Sequence, residues 1–534
     1  MKPSWRQTFA VFACFLLLYL LTCGGHLYSP DEEIMFRVTE SLARRGELSI
    51  PPILDPAGNS FASARGSDGR EYAQYGVANS LFAVPFYYAG LLATKLVPDE
   101  TATRLLDFKT MLYVEQTGAG RGHQLLLRFA VSFFGLFVGA ATCALVSRMA
   151  WRLCADQERR NRISWLAALA YGAGTMAWPH GRTFFSEPLA TLFFLAAFSA
   201  VWGPEGLTRR KVALCGTWMA LSLMARLDTV FVFPALVLFL TLRYIETRAG
   251  SLKDALGGSA REQLRFLVEG EFYRMTALFA APLAVFAAWY LGMNYLHFGG
   301  AMKSAYADQS EGIHFTTPLL AGLYGFLFSA GKSLFLFSPI VAVGIFAFPA
   351  MIRRCPAQGV GAAAAALLIL LIHARWQNWP GGWCWGPRHI FMIHAFLILP
   401  LAVWLASAGR GRMTLYGGAM AASIIVQLYG CSQNFIDFYI LYYRTTNSLP
   451  QAYAMYSSED GQLAGYRVER MNSRKQWEPA DTSRLPAPIN DTIYVPQNSQ
   501  WYRYWEMMQF GYIDNLWLRL WARAINEEVA IVDE

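Results

Sequence analysis

Three consecutive acids, Asp31, Glu32 and Glu33, sit in "LYSPDEEIMF", directly after an apolar run long enough to enter a membrane. A carboxylate held at such a rim can take a proton from an attacking group. Other polar residues recur at comparable places. "WPHGRTFFSEP" carries Arg182 and Glu187, "MARLDTVF" carries Arg226 and Asp228, "SAGKSLFLFSP" carries Lys332, and "HARWQNWPGGWCWGPRH" carries Arg375, Arg388 and His389. Ionisable residues at a membrane edge are costly unless paired or functional, so acids and cations converging from separate loops point to a site that binds an anion beside a carboxylate. Not all of them belong to it. Asp228, two residues after Arg226, reads as a local ion-pair partner, and Glu33 faces away from Asp31 because helical neighbours two apart do not share a face. Trp376, Trp379, Trp383 and Trp385 fit an interfacial aromatic belt.

The elements that position these residues follow from composition. The chain has 534 residues, 55% hydrophobic and 15% charged, against roughly 25% charged in soluble domains. It is an all-α polytopic membrane protein. The first apolar run, 9 to 27, ends in "LLTCGG", a faint likeness to a lipoprotein cleavage site, but many further spans follow and it is read as a span. The net charge of +8 does not indicate nucleic acid, because the cations cluster between spans. Placing those clusters in the cytoplasm sets the topology. Spans are predicted over 9–27, 125–147, 163–179, 188–203, 212–225, 229–244, 275–295, 334–352, 357–374, 388–407 and 413–431, about eleven in all, with the N-terminus inside and the C-terminus outside. The apolar stretch 75–97 then lies on the outer side as a re-entrant or interfacial helix. Residues 1–431 form the transmembrane domain, with 28–123 as its first outer loop, and 432–534 form a small extracytoplasmic segment.

The eight cysteines show no CxxC spacing and the eight histidines no HExxH, so no metal motif is visible. Cys384 and Cys431 fall on the outer side and could pair, although buried free thiols are the favoured reading.

The acidic "DE" after the first span, the long outer loop with its membrane-hugging helix, and "GRTFFSEP" together resemble the GT-C glycosyltransferases that use polyprenyl-phosphate sugars. Among them the chain resembles the group of the protein O-mannosyltransferases and lipid A aminoarabinose transferases. "LFSAGKSLFLFSP" and "WPGGWCWGPRH" resemble recurring stretches of its bacterial members, and the resemblance covers about residues 9 to 430. It implies a GT-C-like bundle in a bacterial cytoplasmic (inner) membrane, with Asp31 as catalytic acid, Glu32 as its acidic neighbour and Glu187 near the acceptor. It also implies a donor cavity shaped by the 75–97 helix, in which Tyr75, His389 and Trp385 are placed. One departure is that this helix reads "QYGVANSLFAVP" and lacks the paired prolines of the mannosyltransferases, so acceptor identity does not carry over.

The residue types suit that chemistry. Displacing a phosphate from an anomeric carbon needs a base for the acceptor's proton and positive charge where the phosphate leaves. Asp31 supplies the first. Arg388 leads for the second, with Lys332, Arg226 and Arg182 as further phosphate-binding candidates. A single base opposite the leaving group implies inversion, since retention needs a second carboxylate as nucleophile. The expected activity is an inverting hexosyl- or pentosyltransferase of cell-envelope glycan biosynthesis. Its partners are a polyprenyl-phosphate-linked sugar, the bilayer, and a glycan, lipid or protein acceptor. No cofactor is certain, and a divalent metal is an option without a visible ligand set. The alternative is a transporter or flippase of lipid-linked sugars, although the inverted repeats common in transporters are not evident.

Overall fold

The computed structural model describes residues 4–53, 60–107, 120–252, 266–306, 314–439, 451–457, 463–471, 477–479, 492–509 and 513–524. The described chain is mostly helical, and every predicted span has a helical counterpart. Among the described residues, seven helical stretches are long and apolar enough to cross a membrane: Trp5–Thr22, Val77–Thr94, Arg121–Leu153, Leu227–Ala249, Gly270–Phe298, Pro356–Arg375 and Arg410–Ser432. Ser186–Ala200, Leu319–Phe328 and Ile393–Ala406 are apolar but shorter. Length alone therefore does not yield the expected eleven. Two stretches differ from expectation: Val77–Thr94 has the length of a span, and Leu319–Phe328 is a helix within a stretch read as a loop.

Burial separates centre from rim. An apolar 18-residue window of Arg121–Leu153 is 67% buried in the protein, against 11% for the corresponding window of Gly270–Phe298, whose apolar surface is left for lipid. Between the helices an aromatic knot fills the core: Phe198 stacks on Phe239 with ring centres 4.9 Å apart and meets Phe396 edge-on at 4.9 Å.

The first outer loop is built around the helix Pro30–Arg45. Ser29 caps it by accepting from the Glu32 amide, Pro30 occupies its first turn, and Gly46 ends it at φ 69°. Asp31, Glu32 and Glu33 thus fall in the first turn, where the helix dipole favours negative charge. Glu33 turns away from Asp31, as expected, and takes a bidentate fork from Arg128 at 2.7 and 2.9 Å plus a bond from Arg37 at 3.1 Å. That triad ties Pro30–Arg45 to Arg121–Ser132. A three-stranded antiparallel sheet follows, with Glu71–Ala73 between Ser49–Ile50 and Ser63–Arg65. It leads into Val77–Thr94 through Gly76, where a Cβ would lie 2.3 Å from the Ala225 carbonyl, so only glycine lets the strand end approach this turn.

In the C-terminal segment, Gln451–Ser457, Leu463–Met471 and Trp477–Pro479 pair as an antiparallel sheet, and helices Gln500–Gln509 and Leu516–Ala524 follow.

Candidate functional site

Arg388 comes from the loop before the Ile393–Ile398 helix and meets the first turn of Pro30–Arg45. Its Nη1 donates to Asp31 Oδ2 at 2.9 Å, across 357 residues of sequence. Its Nε lies 3.9 Å from Glu187 Oε1, which sits in the first turn of Ser186–Ala200. Glu187 Oε1 also receives Arg226 Nη1 at 2.7 Å, and Arg226 grips Asp228 through Nε at 3.0 Å and Nη2 at 2.5 Å. His373 Nε2 stands 3.6 Å from Asp228 Oδ2. The result is one row of alternating charge: Asp31, Arg388, Glu187, Arg226, Asp228, with His373 at its end.

Three carboxylates in this row face two guanidiniums. An arriving anion therefore finds no vacant positive site and must take the place of a carboxylate. Asp31 is the member most easily replaced. It is held by one hydrogen bond with its side chain 16% exposed, while Asp228 is gripped by a fork. Arg388 is also incompletely used. Among the described residues its buried Nε–H has no hydrogen-bond acceptor, and its guanidinium lies over the Phe185 ring at 4.7 Å. Among the described residues neither ring nitrogen of buried His389 has a hydrogen-bond partner; its ring packs on Trp376 with centres 4.3 Å apart. Buried polar groups in proteins are nearly always paired, so a cluster of unpaired ones marks a place where a ligand completes the set.

A cavity of about 140 Å³ opens beside the row, walled by Phe231, Phe286, Trp289, Met293 and Trp376 and floored by Arg226, Asp228 and His373. Those three floor residues also line a smaller pocket of about 20 Å³ with Glu187, Arg388 and His389, which is room for a water. Tyr75 and Tyr306 line the large cavity. Burial pushes both phenols up, and the nearby Asp31 charge pushes them further in the same direction.

Glu32 is fully buried. Its Oε2 accepts from the Tyr28 amide at 2.8 Å. Burial pushes its carboxyl up to about 8, against the opposing pull of backbone amides at Tyr28 and Phe184. It braces the acidic turn from behind and does not line the cavity.

The other expected site residues lie elsewhere. Lys332 is fully buried with Nζ donating to the carbonyls of Gly386 at 3.0 Å, Gly382 at 3.2 Å and Cys384 at 3.3 Å. Burial lowers its ammonium pKa. It folds the loop that presents Arg388, and its charge is already surrounded. Arg182 donates from Nη2 to Tyr28 Oη at 2.6 Å and Asp514 Oδ2 at 2.5 Å, in a sealed cluster. Trp385 is 1% exposed and packs edge-on against Phe337, away from the large cavity. Lys332, Arg182 and Trp385 are thus not brought to the Asp31–Arg388 row, because each fills its own buried position. All eight cysteines are free thiols. Among the described residues no group of three His, Cys, Asp or Glu side chains could hold a metal ion. His373, Tyr306 and Asp514 were not anticipated. His373 stands near the end of a predicted span, where a lone histidine gives no signal of its own.

No family model matches the chain, and no curated protein matches it. Among solved structures it is similar to ArnT from Cupriavidus metallidurans bound to undecaprenyl phosphate, at 12% identity and TM-score 0.44, over 82% of this chain and 65% of that one. The apo state of the same protein gives 13% identity and TM-score 0.43, over 77% and 60%. The apo oligosaccharyltransferase of Archaeoglobus fulgidus gives 13% and 0.42, over 83% and 59%. The chain spans less than two thirds of the length of each.

Proposed function

We propose that the chain is an inverting glycosyltransferase that moves a hexose or pentose from a polyprenyl-phosphate donor to an acceptor hydroxyl. In this reading it works at the outer face of a bacterial cytoplasmic membrane, with the site and the C-terminal segment extracytoplasmic. The observation that carries it is the single Arg388–Asp31 bond beside an unpaired Arg388 Nε–H.

The donor's apolar chain enters from the bilayer and its phosphate reaches Arg388 and Arg226. Guanidinium binds phosphate through two parallel N–H bonds, a stronger fit than one bond to Asp31. Phosphate thus displaces Asp31 from Arg388. The exchange does two things at once: it places positive charge where negative charge grows as the sugar–phosphate bond breaks, and it frees the Asp31 carboxylate to take the acceptor's proton. The acceptor oxygen bonds to the anomeric carbon, the phosphate leaves with the bonding pair, and Asp31 keeps the proton. Glu32 is buried behind the turn and holds its own proton to about pH 8. It is unsuited to attack the sugar, so one carboxylate acts and the configuration inverts. Glu187 holds Arg388 and Arg226 in line. No step requires a metal.

The test offers purified protein in nanodiscs a panel of polyprenyl-phosphate hexoses and pentoses, with a lysate as acceptor source. Release of polyprenyl phosphate from one donor, together with sugar transfer, is expected. No release from any donor by folded protein contradicts the reading and favours a transporter.

A further inference from the structure

Two features remain outside that chemistry: the "CGGH" at the end of the first span and the buried Asp514, which lies 483 positions after Asp31 in the sequence. They meet. Asp514 Oδ1 accepts from His26 Nε2 at 2.8 Å, and Oδ2 accepts from Tyr28 Oη at 2.9 Å and Arg182 Nη2 at 2.5 Å; Arg519 also pairs with Oδ1. Burial alone would raise this carboxyl, but His26, Arg519 and Arg182 together hold it well below the usual carboxylate range. The carboxylate is a fixed charge.

The two glycines make room for this segment. A Cβ on Gly24 would lie 2.5 Å from Tyr28 Oη and 2.8 Å from Asp514 Oδ2, and a Cβ on Gly25, at φ +73°, would lie 2.8 Å from Leu516 Cδ1. The segment in turn completes the end of the first span. Carbonyls in the last turn of a helix lack the amide four residues on, and here Leu20 O accepts the Cys23 amide at a long 3.5 Å. Trp517 Nε1 donates to Leu20 O at 2.8 Å, Asn515 Nδ2 to Leu21 O at 3.0 Å, and the Leu516 amide to Cys23 O at 2.9 Å.

Tyr28 carries the constraint to the acidic turn by two routes. Its backbone amide bonds Glu32 at 2.8 Å. Its ring stacks on Phe435 at 5.3 Å, Phe435 stacks on Phe185 at 5.9 Å, and Phe185 lies under Arg388 at 4.7 Å. From this we infer that Asp514 is a positioning residue: by fixing Tyr28 it sets the acidic turn and Arg388 in register for the Asp31 exchange. The inference rests on the transferase reading and names a part of the chain that the reading itself does not use.

The experiment compares full-length wild type with Asp514→Asn, Tyr28→Phe and Asp514→Glu in nanodiscs. It measures kcat and donor KM by polyprenyl phosphate release, and amide exchange by mass spectrometry. Since small misplacements at a reacting centre are costly, Asp514→Asn is expected to lower kcat roughly tenfold or more while donor KM stays within about twofold. Tyr28→Phe shifts kcat the same way by less, and Asp514→Glu recovers part of the loss. Exchange rises over 26–36 and not over 134–153. Unchanged kcat in Asp514→Asn overturns the inference, and so does a loss with exchange raised evenly through the spans, which marks a general structural role. If wild type releases nothing from any donor, the transferase reading fails and exchange alone decides: a rise confined to 26–36 supports the positioning link, and no rise overturns it.

Discussion

Two arginine–aspartate pairs meet the chain three residues apart. Tyr28 joins Arg182–Asp514, and Asp31 belongs to Arg388–Asp31. In the first pair the side chains are 2% and 4% exposed, and the carboxylate is shared among four partners. In the second they are 13% and 16% exposed, joined by one hydrogen bond, and one guanidinium N–H is unused. The same two residue types thus do opposite work. A carboxylate with all its partners in place fixes geometry, and one with a single partner can be exchanged for a ligand.

Three substitutions sharpen or break that contrast. The largest effect on stability is expected from Arg182→Ala. It removes a buried cation from Asp514 and the donor that Tyr28 Oη accepts from, and costs about 3–5 kcal/mol, the usual penalty for breaking a buried pair; thermal unfolding in detergent reads it. Wild-type unfolding in this variant would make the two pairs alike. Arg388→Lys comes next and acts on a different quantity. It keeps the charge and loses the fork, so donor binding weakens by about 1.5–3 kcal/mol with little change in unfolding; a titration with donor lipid checks it. A large fall in unfolding temperature with unchanged donor binding would assign Arg388 to structure.

The third effect is a pH dependence at Glu32. In the folded protein its carboxyl titrates at about 8, against 4.5 for the ordinary group. Between those values the folded state binds more protons than the unfolded one, so this group's contribution to stability falls as pH rises and levels off above about pH 8. Glutamine does not titrate. Glu32→Gln is therefore expected to gain on wild type in unfolding temperature between about pH 5 and pH 8, then hold a constant margin. A pH-independent margin would mean that Glu32 is ionised in the folded protein.

The sequence shows parts of this site and hides others for physical reasons. "SPDEE" is legible because capping, proline and acid preference all act within one helical turn, which also places Glu33 on the far side of Asp31. Arg226 with Asp228 is legible because the partners are two residues apart. The helices follow from apolar length, but Pro400 separates Ile393–Ile398 from Pro400–Ala406 within one apolar run, and such breaks leave the span count open. Arg388 leads the phosphate-binding candidates, but local pattern does not give which of the cations meets Asp31. Lys332 and Arg388 look alike in sequence. One is ringed by carbonyls of the loop 382–386, and the other reaches a carboxylate 357 residues away. Asp514 is hidden for the same reason, since every partner except Arg519 is far along the chain.

The central claim is that Asp31 is an exchangeable base and not a structural acid. The most direct measurement sets Asp31→Asn beside wild type in nanodiscs with the donor that wild type uses, scoring polyprenyl phosphate release and donor binding together. The expected result is a loss of release of roughly 10²–10⁴-fold, with donor bound as tightly as by wild type or more tightly, because the carboxylate no longer competes for Arg388. Release at the wild-type rate from folded Asp31→Asn, or donor binding lost along with turnover, would contradict the account.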